Sequence, residues 1–209
     1  MISRQDQIKK IAYLVPFVAV SIGLLIANNA WLAIILYHLG IGVFLILGKQ
    51  GYRARELIMG GKLLPILLAI ISGVASGVIL LAFAKSIGVP NNLAALLAQQ
   101  GLQGWGWTLF IIYYSFVNPF LEEYYWRGYL AESTKGITLS DICYAGYHPI
   151  VLSRYLSWPW LILEFLILLG VAWAWRQIAQ RYGGLIIPVI THLAADLSLI
   201  IAIYILIQK

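Results

Sequence analysis

Long apolar runs separated by short polar connections recur along the whole chain, and most are about 20 residues long, the length a helix needs to cross the hydrocarbon core of a bilayer. The pattern predicts helices at roughly 11–27, 30–47, 63–84, 107–131, 138–155, 158–180 and 184–207,. The expected fold is therefore all-α, a polytopic transmembrane helix bundle of about seven spans. The turn dipeptide Asn28-Asn29 joins the first two runs, and the first run is so short that a hairpin dipping through the membrane also fits,. Between the third and fourth runs, Pro90, Asn91, Asn92, Gly101, Gly104 and Gly106 interrupt the chain. Leu93, Leu96 and Leu97 share one helical face there, which predicts a short helix lying along the interface.

Composition agrees with this reading. Apolar residues make up 62% of the 209 positions and charged residues 11%, with a mean hydropathy of +0.87. A soluble globular protein does not have this balance. No stretch is left for a water-soluble domain, so residues 1–209 are read as one integral membrane domain with a motif-bearing core at 107–207. The segment Met1 to Lys10 is polar, and the apolar run from Ile11 lacks an A-x-A-like cleavage site, so the first helix is expected to be retained,. The single cysteine, Cys143, excludes an intrachain disulfide and reads as a small packing residue,.

The net charge of +6 would suggest nucleic acid in a soluble protein, but here the cations sit in the connections between apolar runs. No nucleic-acid partner is expected; the partner these charges imply is the lipid bilayer. Arg4, Lys9, Lys10, Lys49, Arg53, Arg55, Lys62, Arg127, Lys135, Arg176 and Arg181 fall on one side of a seven-span arrangement, and Lys85, Arg154 and Lys209 on the other. By the positive-inside rule the N-terminus is cytoplasmic and the C-terminus is not. A bacterial plasma membrane is the expected location.

Ionisable residues inside such spans are costly and are read first as functional. With that orientation, Glu122, His148 and His192 each fall eight to ten residues from the cytoplasmic end of their helices. At about 1.5 Å per residue, all three lie roughly 12 to 15 Å deep. Glu123 and Arg127 are spaced i,i+4 and can pair across one turn, while Glu122 points about 100° away. His192 and Asp196 are also i,i+4, so the carboxylate can orient the imidazole. Asn118-Pro119 loosens the helix just before the acidic pair.

These residues form three short motifs: Glu122-Glu123-x-x-x-Arg127-Gly128, Tyr144-x-x-x-His148 and His192-x-x-x-Asp196. In that order they resemble the motifs of the CAAX protease and bacteriocin-processing family, intramembrane endopeptidases related to the type II CAAX prenyl proteases. The resemblance runs from Pro119 to Asp196. It implies that Glu122 and His148 activate water, that His192 with Asp196 holds the developing oxyanion, and that Glu123 and Arg127 brace the site. It also implies a membrane-embedded or lipidated peptide or protein as substrate. Two positions depart from the pattern: Tyr144 stands where phenylalanine is usual, and Asp196 where asparagine is. An ionised aspartate repels an oxyanion, so Asp196 is either protonated or serves to orient His192.

Independently of the family, a carboxylate and an imidazole sharing one water supply the general base and acid that peptide hydrolysis needs. There is no HExxH and no GxGD, and Val74-Ala75-Ser76-Gly77 echoes a rhomboid serine motif only loosely; Gly73-x-x-x-Gly77 is more simply a close-packing face,. A zinc enzyme is the rival within hydrolysis, with Glu122, His148 and His192 as ligands. Asp196 can support His192, but Tyr144 and Leu152 stand one turn from His148, so no cofactor is expected. A catalytically silent immunity or scaffold protein and a proton-coupled transporter are the alternatives outside catalysis. Even in an enzyme, Glu123 with Arg127 reads as a buried structural ion pair; His38 reads as a core histidine with one hydrogen bond, and Glu164 as a partner of Arg154 or a hydrated side chain.

Overall fold

The computed structural model describes residues 4–48 and 54–208; Lys49, Arg53 and Lys209, which entered the charge division, lie outside them. The described residues form helices α1 (Arg4–Ala12), α2 (Val15–Val20), α3 (Ala30–Gly48), α4 (Leu63–Phe83), α5 (Leu93–Gln99), α6 (Gly104–Glu123), α7 (Leu139–Leu152), α8 (Trp158–Tyr182) and α9 (Ile186–Ile207). Two π-helical turns extend α2 and α6, at Ser21–Ile26 and Tyr124–Tyr129, and a short 3-10 turn covers Ala54–Ile58.

Local sequence accounts for the ends. Asn28 takes the left-handed conformation at φ 50°, and the Asn29 side chain accepts the Leu32 amide at 2.9 Å, capping α3,. Thr138 and Asp141 close a reciprocal capping box at the start of α7,. Gly183, at φ 67°, ends α8 in the left-handed conformation that glycine adopts at least cost,.

Among the described residues, five segments are long and apolar enough to cross a membrane: Arg4–Ile26, Ala30–Gly48, Leu63–Phe83, Trp158–Tyr182 and Ile186–Ile207. The sequence reading counted seven. The two additional spans were assigned to α6, which ends in two glutamates, and to α7. With 14 residues, α7 reaches only about 21 Å at the helical rise, short of the roughly 30 Å core. The shared depth expected for Glu122, His148 and His192 requires α6 and α7 to be full spans; in the structure Glu122 and His192 are instead joined by a 3.6 Å approach, and His148 reaches them only through the rings of Tyr144 and Tyr147.

Helices α4 and α9 pack backbone to backbone. A Cβ on Gly73 would stand 2.6 Å from the Ala194 Cβ, and one on Gly77 would stand 2.3 Å from the Ser198 carbonyl oxygen. The Ser198 hydroxyl donates to the Gly73 carbonyl at 3.0 Å, a polar bond across a small-residue seam,. The other faces of α4 and α8 carry exposed apolar side chains such as Leu64, Leu68, Ile71, Ile162 and Leu166, as lipid-facing helices do. In α5, Leu93 and Leu97 pack into the core. That core is aromatic: Tyr37, Tyr125, Trp126, Tyr144, Tyr147 and Trp175 are buried together where α3, α6, α7 and α8 meet.

Candidate active site

The acidic pair sits on the last turn of α6, three residues beyond Pro119, which removes one backbone donor from the helix ladder,. The π-helical turn that follows carries Arg127. Such turns inside helices concentrate at functional sites because the extra residue re-aims the side chains after it. Helix α7 contributes Tyr144, Tyr147 and His148, α9 contributes His192 and Asp196, and α3 contributes Tyr37 and His38.

His192 lies at the centre, flanked by three carboxylates. Its Nδ1 is 2.9 Å from Glu123 Oε1, and its Nε2 is 3.6 Å from Glu122 Oε2 and 3.5 Å from Asp196 Oδ2. Glu123 Oε1 also accepts from Arg127 Nη1 at 3.0 Å. Glu122 and Glu123 are 1% and 0% exposed and His192 4%. The Tyr147 hydroxyl donates to Glu122 Oε1. The Tyr37 hydroxyl, which accepts from Trp126 Nε1 at 2.9 Å, faces the same carboxylate. Among the described residues, Glu122 Oε2, Glu123 Oε2 and Arg127 Nη2 are buried without a hydrogen-bond partner.

His148 is half-buried, and its Nδ1 lies 2.7 Å from the Tyr144 carbonyl. A carbonyl only accepts, so Nδ1 carries the proton and Nε2 of the neutral ring is a lone pair, the form of a base. His192 has the opposite disposition: Nδ1 donates to Glu123, and Nε2 faces two carboxylates that favour a proton there. The two imidazoles are linked through Tyr144, whose ring centroid lies 5.0 Å from that of His148 and 6.3 Å from that of His192. The Arg127 guanidinium covers the same tyrosine ring at 3.9 Å,. Phenylalanine could supply the same ring contacts.

Several expectations change. His192 is oriented by Glu123 and not by Asp196, because the 3.5 Å approach of Asp196 is longer than a good hydrogen bond,. Glu123 therefore serves both Arg127 and His192. His38 makes two hydrogen bonds where one was expected: the Tyr113 hydroxyl lies 2.7 Å from Nδ1, and Nε2 is 3.1 Å from Asn118 Oδ1. Asn118, read only as loosening α6, donates from Nδ2 to Asp196 Oδ2 at 3.2 Å. Arg176, counted as a topology signal, is buried against Asp141, and Arg127 is buried as well, so neither is a surface charge. Arg154 donates to Asn28 and not to Glu164, whose two carboxylate oxygens have no partner among the described residues. Nothing in the structure explains Glu164.

The backbone carbonyl of Tyr144, one turn back, already fixes the His148 ring, a support that the side chains at 144 and 152 do not give,. Among the described residues, no group of three His, Cys, Asp or Glu side chains is placed to hold a metal ion.

Comparison with known families bears on this same stretch. Residues 104–198, from the start of α6 to the middle of α9, match the family model described as type II CAAX prenyl endopeptidase Rce1-like. This region is Rce1-like. The resemblance to the CAAX protease and bacteriocin-processing family, carried in the sequence by three short motifs, holds over it, and the activity of the family is that of a CAAX-type intramembrane protease. No curated protein and no solved structure matches the chain. The Rce1-like region includes Asn118, Tyr147 and Asp196 but not α3, so Tyr37 and His38 reach the site from outside it.

Proposed function

We propose that the protein is an intramembrane endopeptidase that hydrolyses a peptide bond of a membrane-associated or lipidated substrate with water activated by Glu122 and His148. The observation that carries this reading is Glu122 itself. One of its oxygens is held by Tyr147, and the other has no hydrogen-bond partner among the described residues and stands 3.6 Å from His192 Nε2. A carboxylate fixed at one oxygen and free at the other is poised to take a proton from water. His148, neutral with its Nε2 lone pair free, is the second acceptor and returns the proton to the leaving amine. His192, protonated between its carboxylates, donates from Nε2 to the oxyanion of the tetrahedral intermediate. Asp196 acts on that oxyanion only through His192. Glu123 and Arg127 keep the His192 ring in place, and the reaction proceeds without a resident metal.

Replacing Glu122 with Gln tests the reading, because the amide keeps the shape and the Tyr147 contact but cannot take a proton. The probe is an internally quenched, farnesylated peptide ending in a CAAX sequence, with the full chain purified in detergent. The expected result is a fall in kcat of about 100- to 10,000-fold with the folded yield unchanged. Turnover by Glu122→Gln equal to that of the wild type would overturn the proposal in favour of a silent scaffold.

A further inference from the structure

Asp196 is the residue whose role the family resemblance leaves in doubt, and the structure ties it to a hydrogen-bonded chain that begins outside the Rce1-like region. The Tyr113 hydroxyl meets His38 Nδ1 at 2.7 Å, His38 Nε2 meets Asn118 Oδ1 at 3.1 Å, and Asn118 Nδ2 meets Asp196 Oδ2 at 3.2 Å. His38 and Asn118 are buried, at 8% and 3% exposure, so water does not compete for the His38–Asn118 and Asn118–Asp196 bonds,.

With one proton on the His38 ring, two arrangements satisfy every link,. In the first, donors run from Tyr113 to His38 to Asn118 to Asp196: the hydroxyl donates to Nδ1, Nε2–H donates to the amide carbonyl, and the amide NH2 donates to a carboxylate. In the second, each donor is reversed and the amide is turned over, so that its carbonyl faces Asp196. That carbonyl would repel an ionised carboxylate, so the second arrangement requires Asp196 to carry a proton. The amide orientation in the structure is the first. The choice is made at His38, because an imidazole with one proton must accept on one side and donate on the other.

We propose that His38 is a positioning residue that fixes the direction of this chain and so leaves Asp196 free to be the ionised acceptor that faces His192 Nε2. The effect reaches the reaction through His192. An acceptor 3.5 Å from Nε2 favours the protonated ring, which is the form that donates to an oxyanion. The aspartate standing where relatives have asparagine is then an aid to the donor, not a rival for the oxyanion. The inference rests on the endopeptidase reading and extends it to α3, a helix that the family match does not cover.

The test compares three full-length variants on the same quenched farnesylated peptide, with Glu122→Gln as the inactive control. His38→Gln retains an acceptor for Tyr113 and an NH2 donor for Asn118, so it preserves the direction of the chain. His38→Phe keeps the bulk and removes both links. Tyr113→Phe removes only the first donor and leaves His38 free to reverse. We expect kcat to fall about 10- to 100-fold in His38→Phe with KM unchanged, the scale of a misplaced catalytic group. His38→Gln should recover most of that loss, and Tyr113→Phe should lose several-fold. A structural role would instead lower the folded yield and leave kcat per folded molecule intact. If His38→Phe does not fold, Tyr113→Phe and His38→Gln decide: wild-type kcat in the first, or a loss in the second larger than that of the first, overturns the inference. Wild-type kcat in a folded His38→Phe overturns it too, while the Glu122→Gln control remains inactive. Failure of the wild type to cleave the peptide at all would instead overturn the endopeptidase reading on which it rests.

Discussion

Two buried arginine–carboxylate pairs lie in the C-terminal half of this protein, and they are built on opposite principles. At the loop between α6 and α7, the Arg176 guanidinium uses every donor. Nε and Nη2 bond Asp141, Nη1 reaches the Glu132 and Thr134 carbonyls, and Nη2 also reaches the Gly136 carbonyl. Asp141 in turn accepts from the Thr138 backbone and hydroxyl at 2.9 and 3.0 Å. At the site, Arg127 bonds Glu123 through Nη1, while its Nη2, Glu123 Oε2 and Glu122 Oε2 are unpaired. A buried network that is fully satisfied rigidifies what it touches. One left incomplete gives up stability, which a fold tolerates where the open atoms do something else. The first pair is a clamp on the α6–α7 connection, and the second belongs to a site.

Breaking the clamp should have the largest effect on folding. Arg176→Met leaves the Asp141 carboxylate without its counter-charge and the Gly136 carbonyl without its donor, while Gln180 and Gln177 still donate to the Glu132 and Thr134 carbonyls, so stability should fall by about 3–5 kcal/mol, the cost of stranding one partner of a buried pair. Thermal unfolding in detergent measures this, and an unchanged transition would contradict the clamp. The same kind of change at the site should cost less stability and more activity. Glu123→Gln keeps an acceptor for Arg127 and His192 but removes the charge, so a loss of about 1–3 kcal/mol is expected. Its kcat on the farnesylated peptide should drop as well, because His192 loses the anion that fixes its ring. A Glu123→Gln protein as destabilised as Arg176→Met, with normal kcat, would erase the distinction between the two pairs. The smallest effect is expected from a chelator. Incubation with excess EDTA should leave kcat within twofold of the untreated protein. Activity lost in EDTA and restored by one equivalent of zinc would mean that the open atoms of the site are metal ligands.

The contrast also separates what can be read in the sequence from what cannot. Glu123 and Arg127 are i,i+4, and an i,i+4 pair follows from helical geometry alone, so their contact is legible in one dimension. Arg176 and Asp141 stand far apart in the chain on different helices, and nothing local distinguishes Arg176 from a topology-setting cation. His192 and Asp196 show the limit of spacing even within one helix, since a carboxylate from α6 lies closer to the imidazole than the one four residues away. Tyr147 is adjacent to a motif histidine, but its hydroxyl matters only because α6 brings Glu122 to it.

Taken alone, the sequence determined the class of the fold, the identities of the long apolar helices and the residues that carry the family motifs. These follow from periodicity, from the cost of charge in an apolar run and from local spacing, all of which act within one segment. Tertiary structure decided which groups meet. It set Glu123 against His192, fixed His148 Nδ1 as a donor to a backbone carbonyl, and joined His38 to Asp196 through Asn118. It also showed α7 as too short to be a full span. The physical reason is that hydrogen bonds between helices depend on the rotation and offset of each helix against its neighbours. Those are fixed by close contacts such as Gly73 and Gly77 on α9, which no single segment contains.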